Sequence, residues 1–152
     1  YFWQGREWPY KNIKHKIIAE QYMVDESGVE LKDYKFFCFD GKCQFLFIAT
    51  DRGIDTRFDF FDTDFNHIDV KNGHENSTKV IHRPERFEEM IEIAEELSRG
   101  LPHVRIDLYN INGKIYFGEY TFFHFSGLIP FEPDEWDIKF GEMLVLPDVR
   151  KK

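Results

Sequence analysis

The chain of 152 residues has the length of one domain, and a folded chain of this size buries roughly 68–70% of the surface that it exposes when unfolded. It carries 20 Lys and Arg against 28 Asp and Glu, for a net charge of −8, and this acidity argues against nucleic acid as a partner, because phosphate backbones require a basic surface. Aromatic residues make up 18% of the chain, which excludes an intrinsically disordered protein. We therefore expect residues 1–152 to form a single packed domain.

The sequence carries no signal for membrane insertion or export. No apolar run reaches the roughly 18 residues that a transmembrane helix needs, and the first ten residues lack the basic and apolar regions of a signal peptide. The protein is therefore expected to have no membrane-spanning segment and to be cytoplasmic. The two cysteines, Cys38 and Cys43, are accordingly expected to be buried and reduced.

The first half of the chain predicts three strands and then a long irregular segment. Residues 16–23 begin with an apolar and β-branched run, which favours a strand. Residues 34–39 and 42–50 alternate around Asp40-Gly41, a dipeptide typical of a tight hairpin turn. Residues 51–79 are polar and rich in aspartate, and we expect them to be irregular with one short strand.

An amphipathic helix is predicted over residues 84–99, where apolar side chains recur at intervals of three and four residues. Pro84 suits the first turn of this helix, and Gly100 supplies the left-handed residue that ends it. The residues of the apolar stripe are Phe87, Met90, Ile91, Ala94 and Leu97. We expect this stripe to pack on the core.

A period of two returns after the helix and predicts a second hairpin. Residues 104–109 and 114–122 form its strands, and Asn112-Gly113 closes it. Residues 125–152 contain three prolines, and we expect them to be extended loop with little regular structure. Together these elements predict an α+β fold, with a largely antiparallel sheet and a flanking helix.

The second hairpin also carries the residues best suited to chemistry. Arg105 and Asp107 share one face of its first strand, and Glu119 and Thr121 share one face of its second strand. Two carboxylates and a guanidinium on one sheet face are costly unless they are paired or bound to a ligand, which is typical of a site for a hard cation and phosphate. The alternative is an exposed cross-strand salt bridge between Arg105 and Glu119.

Whether these two faces coincide depends on the loop of the hairpin. A two-residue loop at Asn112-Gly113 puts Glu119 on the face opposite to Asp107. A three-residue loop over residues 111–113 changes the parity, pairs Arg105 with Glu119 and brings all four side chains together. The candidate site therefore favours the three-residue loop.

In these residues the hairpin resembles the closing hairpin of the ATP-grasp superfamily. The stretches that carry the resemblance are Val104-Arg105-Ile106-Asp107, Asn112-Gly113-Lys114-Ile115-Tyr116 and Gly118-Glu119-Tyr120-Thr121. In that superfamily Arg-x-Asp on one strand and Glu-x-Asn on the next hold two magnesium ions and the phosphates of ATP. The resemblance implies that Asp107, Glu119 and Thr121 bind Mg²⁺ and that Arg105 is a catalytic residue at the phosphates. Thr121 stands where the superfamily usually has Asn.

Upstream residues extend the resemblance to the nucleotide. The stretch Ile17-Ile18-Ala19-Glu20-Gln21-Tyr22-Met23 resembles the strand and hinge that lie against adenine, and Asp33 stands where the superfamily often has an acidic ribose ligand. The resemblance therefore implies that ATP is bound by the residues Glu20, Gln21, Tyr22, Met23 and Asp33. Arg57, in the aspartate-rich segment, is a further candidate for gripping substrate or phosphate.

Three other stretches are similar to the TupA-like branch of the superfamily, which is associated with bacterial surface-polymer and polysaccharide biosynthesis. They are Gly5-Arg6-Glu7-Trp8-Pro9-Tyr10, Lys35-Phe36-Phe37-Cys38-Phe39-Asp40-Gly41 and Gly118-Glu119-Tyr120-Thr121-Phe122. The similarity covers nearly all of the chain but only the carboxy-terminal half of an ATP-grasp protein. It therefore implies an amino-terminal half of the same protein, with the lid that covers the phosphates.

The resemblance implies an ATP- and Mg²⁺-dependent ligase, in which a carboxylate is activated as an acyl phosphate and then joined to an amine. The implied substrates are a small-molecule or glycan-linked carboxylate and amine. The fragment alone is expected to be inactive, because the lid half would lie elsewhere. His124 is either part of the acceptor site or an ordinary loop histidine, and His82 is expected at the surface.

Two other functions stay open at this point. A glycosyltransferase of polysaccharide biosynthesis would also use a carboxylate-bound metal, and Asp62-Thr63-Asp64 is the nearest match to its Asp-x-Asp motif. A non-catalytic carbohydrate-binding or interaction module would use exposed aromatic rings, for which the candidates are Trp3, Trp8 and Trp136.

Overall fold

The computed structural model describes residues 2–148 and is built around one antiparallel sheet of six strands. The strands are β1 (Asp33–Phe39), β2 (Lys42–Thr50), β3 (Arg57–Asp62), β4 (His67–Ile68), β5 (His103–Ile111) and β6 (Lys114–Thr121). Their order across the sheet is β4-β3-β2-β1-β5-β6. The α-helices are α1 (Phe2–Gly5), α2 (Phe87–Ser98) and α3 (Glu135–Glu142). The predicted α+β fold is confirmed, and no helix in residues 2–148 is long and apolar enough to cross a membrane.

The first hairpin has the turn that its sequence predicts. Asp40 and Gly41 have φ angles of 48° and 74°, and positive φ at both central residues matches the right-handed twist of the two strands. Cys38 pairs with Cys43 across β1 and β2, and both are buried free thiols. These features agree with the predicted strands and with the expected burial of the cysteines.

Helix α2 covers one face of the sheet. Phe87, Met90 and Ala94 are fully buried there. They pack against a set of apolar strand residues, namely Phe36, Leu46, Ile48, Val104, Ile106 and Leu108. The predicted helix is confirmed but begins later than expected, because Arg86 has a left-handed φ of 58° and leaves Pro84 outside the helix.

The opposite face of the sheet is aromatic at one end and polar at the other. Its buried rings are those of Phe37, Phe39, Phe45, Phe47, Phe58 and Phe60. Helix α3 covers them, with the ring of Phe140 stacked 3.8 Å from that of Phe45.

The expectation that residues 125–152 lack regular structure is therefore wrong at α3, while residues 149–152 lie outside the described part of the chain. The sequence hides α3 because Phe140 is its only buried residue and no apolar stripe results.

Two further expectations about strands are wrong. Residues 16–23 form no strand but a mostly exposed stretch without regular structure, because no strand of residues 2–148 lies beside them to satisfy their backbone. Residues 51–79 contain two strands, β3 and β4, rather than one. Strand β3 pairs with β2 through Phe58 and Phe60, whose side chains are buried.

The loop of the second hairpin also differs from the three-residue loop that was expected. Ile111 pairs with Lys114, so the loop consists of Asn112 and Gly113 alone, with φ angles of 51° and 76°. Further along, the register shifts by one residue, because Leu108 pairs with Phe117 whereas Asp107 pairs with Glu119. Gly118 is therefore a one-residue β-bulge in β6, the edge strand. The bulge turns Glu119 to the same face as Asp107, which the two-residue loop alone would not do.

The bulge is close enough to β5 to require glycine. A Cβ atom on Gly118 would lie 3.0 Å from the backbone oxygen of Asp107 and 3.2 Å from a ring carbon of Tyr109. A backbone oxygen inside a sheet ladder has little freedom to move away. Gly118 thus allows the two strands to approach each other where the register changes.

We predict that Gly118→Ala lowers the free energy of unfolding by about 1–3 kcal/mol, the usual cost of forcing an extra methyl group into a packed position. Gly141→Ala is the matched control, because no atom lies within 4 Å of the added Cβ in α3, and it should be neutral or stabilising by up to about 1 kcal/mol. Urea unfolding of both variants measures the difference. Equal stabilities for the two variants would contradict the role assigned to the bulge.

Candidate functional site

Arg105 lies at the centre of a polar cluster between β5 and β6. Its Nε donates to Oδ1 of Asp107 at 2.7 Å, and its Nη2 donates to Oδ2 of the same carboxylate at 2.8 Å. Nη2 also donates to the hydroxyl of Thr121 at 2.9 Å and lies 3.4 Å from Oε1 of Glu119. The structure therefore brings together all four side chains that the hairpin sequence singled out.

Lys35 on β1 belongs to the same cluster. It pairs in register with Asp107, and its Nζ contacts Oδ2 of that carboxylate. Its Nζ also lies 2.6 Å from Oδ2 of Asp33, which places the expected ribose ligand next to the hairpin cluster. Sequence reasoning did not assign Lys35 a role. The sequence does show a lysine within an aromatic strand. Its partner Asp107 could not be predicted, because the contact depends on the sheet order, which places β5 beside β1.

The cluster is buried except at Glu119 and the half-buried Thr121. The side chains of Asp33, Lys35, Arg105 and Asp107 are between 1% and 11% exposed, whereas that of Glu119 is 63% exposed. Burial raises the pKa of the Asp33 carboxyl, and the nearby charge of Lys35 opposes this shift. Oδ1 of Asp33 is buried and has no hydrogen-bond partner in residues 2–148.

A cleft of about 590 Å³ opens over the cluster. Lys35, Arg105, Glu119 and Thr121 form part of its wall. Aromatic side chains line another part, namely Phe47, Phe58, Phe123 and Phe125. The amino-terminal segment completes it with residues such as Glu7 and Tyr10, and the Tyr10 hydroxyl accepts a hydrogen bond from the backbone N–H of Phe122 at 2.9 Å. The cleft thus combines buried charge with apolar walls, as small-molecule sites do.

His124 follows β6 and lines the cleft beside Arg105. Burial, followed by the nearby charges of Arg105 and Lys35, lowers the pKa of His124 to about 2, so its imidazole is neutral. The two residues that follow it, Phe125 and Ser126, have left-handed φ angles of 47° and 56°. Such backbone costs roughly 1–3 kcal/mol per residue and persists where surrounding contacts fix it.

The remaining candidate residues lie outside this cluster. Residues 20–23 belong to the exposed stretch before β1 and do not line the cleft, so the nucleotide contacts of Glu20, Gln21, Tyr22 and Met23 stay predictions. Arg57 pairs with Asp55 at the start of β3 and does not line the cleft either. Its role in gripping substrate likewise stays a prediction.

The residues of the two alternative functions are also accounted for. Asp62 accepts hydrogen bonds from the backbone N–H groups of Asp64 and Asn66 and so stabilises the turn between β3 and β4. Trp3 and Trp8 are exposed, whereas Trp136 packs against Phe140 with ring centres 5.2 Å apart. His82 is exposed, as expected.

The oxygen donors of the cluster fit a magnesium ion that shares its coordination with phosphate. No three His, Cys, Asp or Glu side chains of residues 2–148 are grouped closely enough to hold a metal by themselves. Mg²⁺ is usually bound by one or two carboxylates together with substrate phosphates and water, so a full protein cage is not required. Glu119 is the exposed carboxylate, Asp107 is shared with Lys35 and Arg105, and Thr121 adds a hydroxyl.

We predict that Asp107→Asn and Glu119→Gln differ strongly in stability. The first removes a buried negative charge shared by Lys35 and Arg105 and should cost about 3–5 kcal/mol, because a buried charge is left without its partner. The second changes an exposed side chain and should stay within about 0.5 kcal/mol of the wild type. Urea unfolding at neutral pH measures both, and equal losses would contradict the network described here.

Comparison with known proteins identifies the family to which this hairpin and cleft belong. No curated protein and no solved structure matches the chain significantly. The sequence model of the TupA-like ATP-grasp family matches residues 1–145, which is nearly the whole chain. The chain therefore belongs to the TupA-like ATP-grasp family.

Proposed function

We propose that the protein is an ATP- and Mg²⁺-dependent carboxylate–amine ligase that acts in the biosynthesis of a surface polysaccharide or related polymer. The observation that carries this proposal is that two cations, Lys35 and Arg105, line one open cleft together with the carboxylate of Glu119, and both contact the buried carboxylate of Asp107 behind it. The family match supports an ATP-dependent, ligase-like role. Because ATP is abundant in the cytoplasm, an ATP-dependent activity favours a cytoplasmic location.

Lys35 and Arg105 are the groups suited to bind phosphate oxygens. Both line the cleft, and both are fixed by hydrogen bonds to carboxylates on the sheet. Guanidinium and ammonium groups bind phosphate through charge-assisted hydrogen bonds, which are stronger than neutral ones, especially where water is partly excluded. Because these cations are held in place before the ligand arrives, little reorganisation is needed when phosphate binds.

Asp107, Glu119 and Thr121 would hold the magnesium ion of this site. When bound, the ion supplies positive charge that neutralises the phosphates during phosphoryl transfer. Glu119 supports this assignment because it is exposed to the cleft and has only a long contact with Arg105 and a hydrogen bond from Thr121. The hydroxyl of Thr121 replaces the usual amide of the superfamily.

The proposed reaction has two steps. An oxygen of the substrate carboxylate attacks the γ-phosphorus of ATP, and the bond from that phosphorus to the oxygen bridging it to the β-phosphate breaks. The products of this step are ADP and an acyl phosphate. The nitrogen of the amine then attacks the acyl carbon, and the bond from that carbon to the phosphate oxygen breaks. The amine gives up one proton to the leaving phosphate, so that the products are an amide and inorganic phosphate. Lys35 and Arg105 stabilise the negative oxygens in both steps, so no nucleophile on the protein is needed.

The nucleoside end of ATP is assigned to residues next to the cluster. The unpartnered Oδ1 of Asp33 supports a role in accepting a hydrogen bond from a ribose hydroxyl. We propose that residues 20–23 contact adenine and that Arg57 contributes to substrate binding. The proposed substrates are a small-molecule or glycan-linked carboxylate and amine, and an amino-terminal half of the same protein contributes the lid.

We predict that Glu119→Gln lowers carboxylate-dependent phosphate release from Mg·ATP by about 10²–10³-fold in the full-length protein, the usual effect of losing one group that stabilises charge in the transition state. Glu135→Gln on α3 is the matched control, because it makes the same chemical change on an exposed glutamate outside the cleft. Phosphate release across a magnesium titration measures both variants. Wild-type activity in Glu119→Gln would overturn the proposed role of this carboxylate.

A further inference from the structure

A chain of hydrogen bonds behind Arg105 has a defined direction at each link. It begins at Asn72, which is only 1% exposed. The Nδ2 atom of Asn72 lies 3.0 Å from the carbonyl oxygen of Ile129 and 2.9 Å from that of Pro130, so it donates to both. Because the amide nitrogen is placed by these two acceptors, the amide oxygen is the atom that faces His124.

The next two links fix the tautomer of His124. Its Nε2 lies 2.7 Å from Oδ1 of Asn72, and its Nδ1 lies 2.6 Å from Nη1 of Arg105. A guanidinium has donors only, so Nδ1 must accept and carries no proton. An amide oxygen accepts only, so Nε2 must carry the proton. Both links therefore require the same neutral form of the imidazole.

The surroundings of His124 favour this neutral, fixed ring. Its imidazole lies against the rings of Phe37 and Phe47, with centroids 5.2 and 5.3 Å away. Burial and the charges of Arg105 and Lys35 oppose protonation and lower its pKa. The left-handed residues Phe125 and Ser126 hold the turn that presents the ring. Aromatic packing, charge and backbone thus all support one arrangement.

His124 supplies the last contact that holds the guanidinium of Arg105. Asp107 holds Nε and one proton of Nη2, and Thr121 holds the second proton of Nη2. Without His124, the Nη1 end of the guanidinium would have no partner in residues 2–148. With His124 in place, one N–H of Nη1 is still unpaired within the described chain, and it is the donor available to a phosphate oxygen.

We propose that Asn72 and His124 form a positioning relay for Arg105: Asn72 fixes the tautomer of His124, and Nδ1 of His124 orients the guanidinium of Arg105 for phosphate as a hydrogen-bond acceptor, not as an acid or base. The phosphate-binding role of Arg105 in this proposal rests on the proposed ligase function. The relay itself is a property of the fold and can be measured without turnover.

Two isosteric substitutions separate the two ends of the imidazole. His124→Asn keeps an acceptor oxygen near the position of Nδ1 and loses the link to Asn72, which it does not need because an amide oxygen has no tautomer to fix. His124→Gln keeps a donor near the position of Nε2 and loses the acceptor for Arg105. A merely structural histidine would not distinguish these variants, whereas the relay requires that Asn preserve the function of Arg105 and that Gln abolish it.

The first readout is ¹⁵N NMR of the protein labelled in histidine and arginine. We expect Nδ1 of His124 to be unprotonated and Nε2 to be protonated in the wild type. The Nη1 signal of Arg105 should keep its wild-type chemical shift in His124→Asn and move in His124→Gln, because only the second variant lacks an acceptor for Nη1. A protonated Nδ1, or the same Arg105 signals in both variants, would overturn the relay.

The second readout is phosphate release from Mg·ATP by the full-length protein. We expect His124→Gln to lose about 10–100-fold, the effect of one hydrogen bond to a charged group, and His124→Asn to stay within about threefold of the wild type. His103→Asn and His103→Gln are the controls, because His103 lies in the same aromatic layer with its Nδ1 3.1 Å from the carbonyl oxygen of Cys38. These two should not differ from each other.

The two readouts keep the inference apart from the ligase proposal. The expected Nη1 difference between the two variants, with no phosphate release from any form, the wild type included, would retain the relay and reject the ligase. Phosphate release that falls equally in His124→Asn and His124→Gln would retain the ligase and reject the relay.

Discussion

The one-residue bulge at Gly118 decides on which face of the sheet Glu119 lies. Side chains alternate along a strand, so a tight two-residue turn would otherwise send Glu119 away from Asp107. The bulge adds one residue to β6 and restores the match, and glycine permits the close approach to the β5 backbone. The pairing of Arg105 with Thr121 and the position of Glu119 in the wall of the cleft follow from that change of register.

A buried ion network then fixes the geometry that the bulge allows. Asp107 is 1% exposed and is held by Lys35 from β1 and by Arg105 from its own strand. Buried charges are tolerated only when they are paired and hydrogen-bonded, and here each cation has a carboxylate. Because α2 anchors the other face of the same strands, the charged groups project from a rigid sheet rather than from a loop, as a preorganised site requires.

Local patterns predicted the parts of the fold that depend on neighbours in sequence. The Asp40-Gly41 hairpin and the apolar stripe of α2 were predictable because turn residues and helical period are read within a few positions. The convergence of Asp107 with Glu119 was predicted through the wrong loop, since a bulge leaves no periodic signature. The strand expected at residues 16–23 failed because strand propensity does not supply a pairing partner. Lys35 and Asn72 act through residues distant in sequence, which no local pattern specifies.

Anomalous diffraction from crystals of the full-length protein grown with Mn²⁺ and a non-hydrolysable ATP analogue tests the proposed site most directly. Mn²⁺ takes the oxygen ligands that Mg²⁺ prefers. The expected result is a manganese peak within about 2.5 Å of the Glu119 carboxylate, with the phosphates beside Lys35 and Arg105. A nucleotide bound elsewhere, or a metal with no ligand from Asp107, Glu119 or Thr121, would contradict the proposed function.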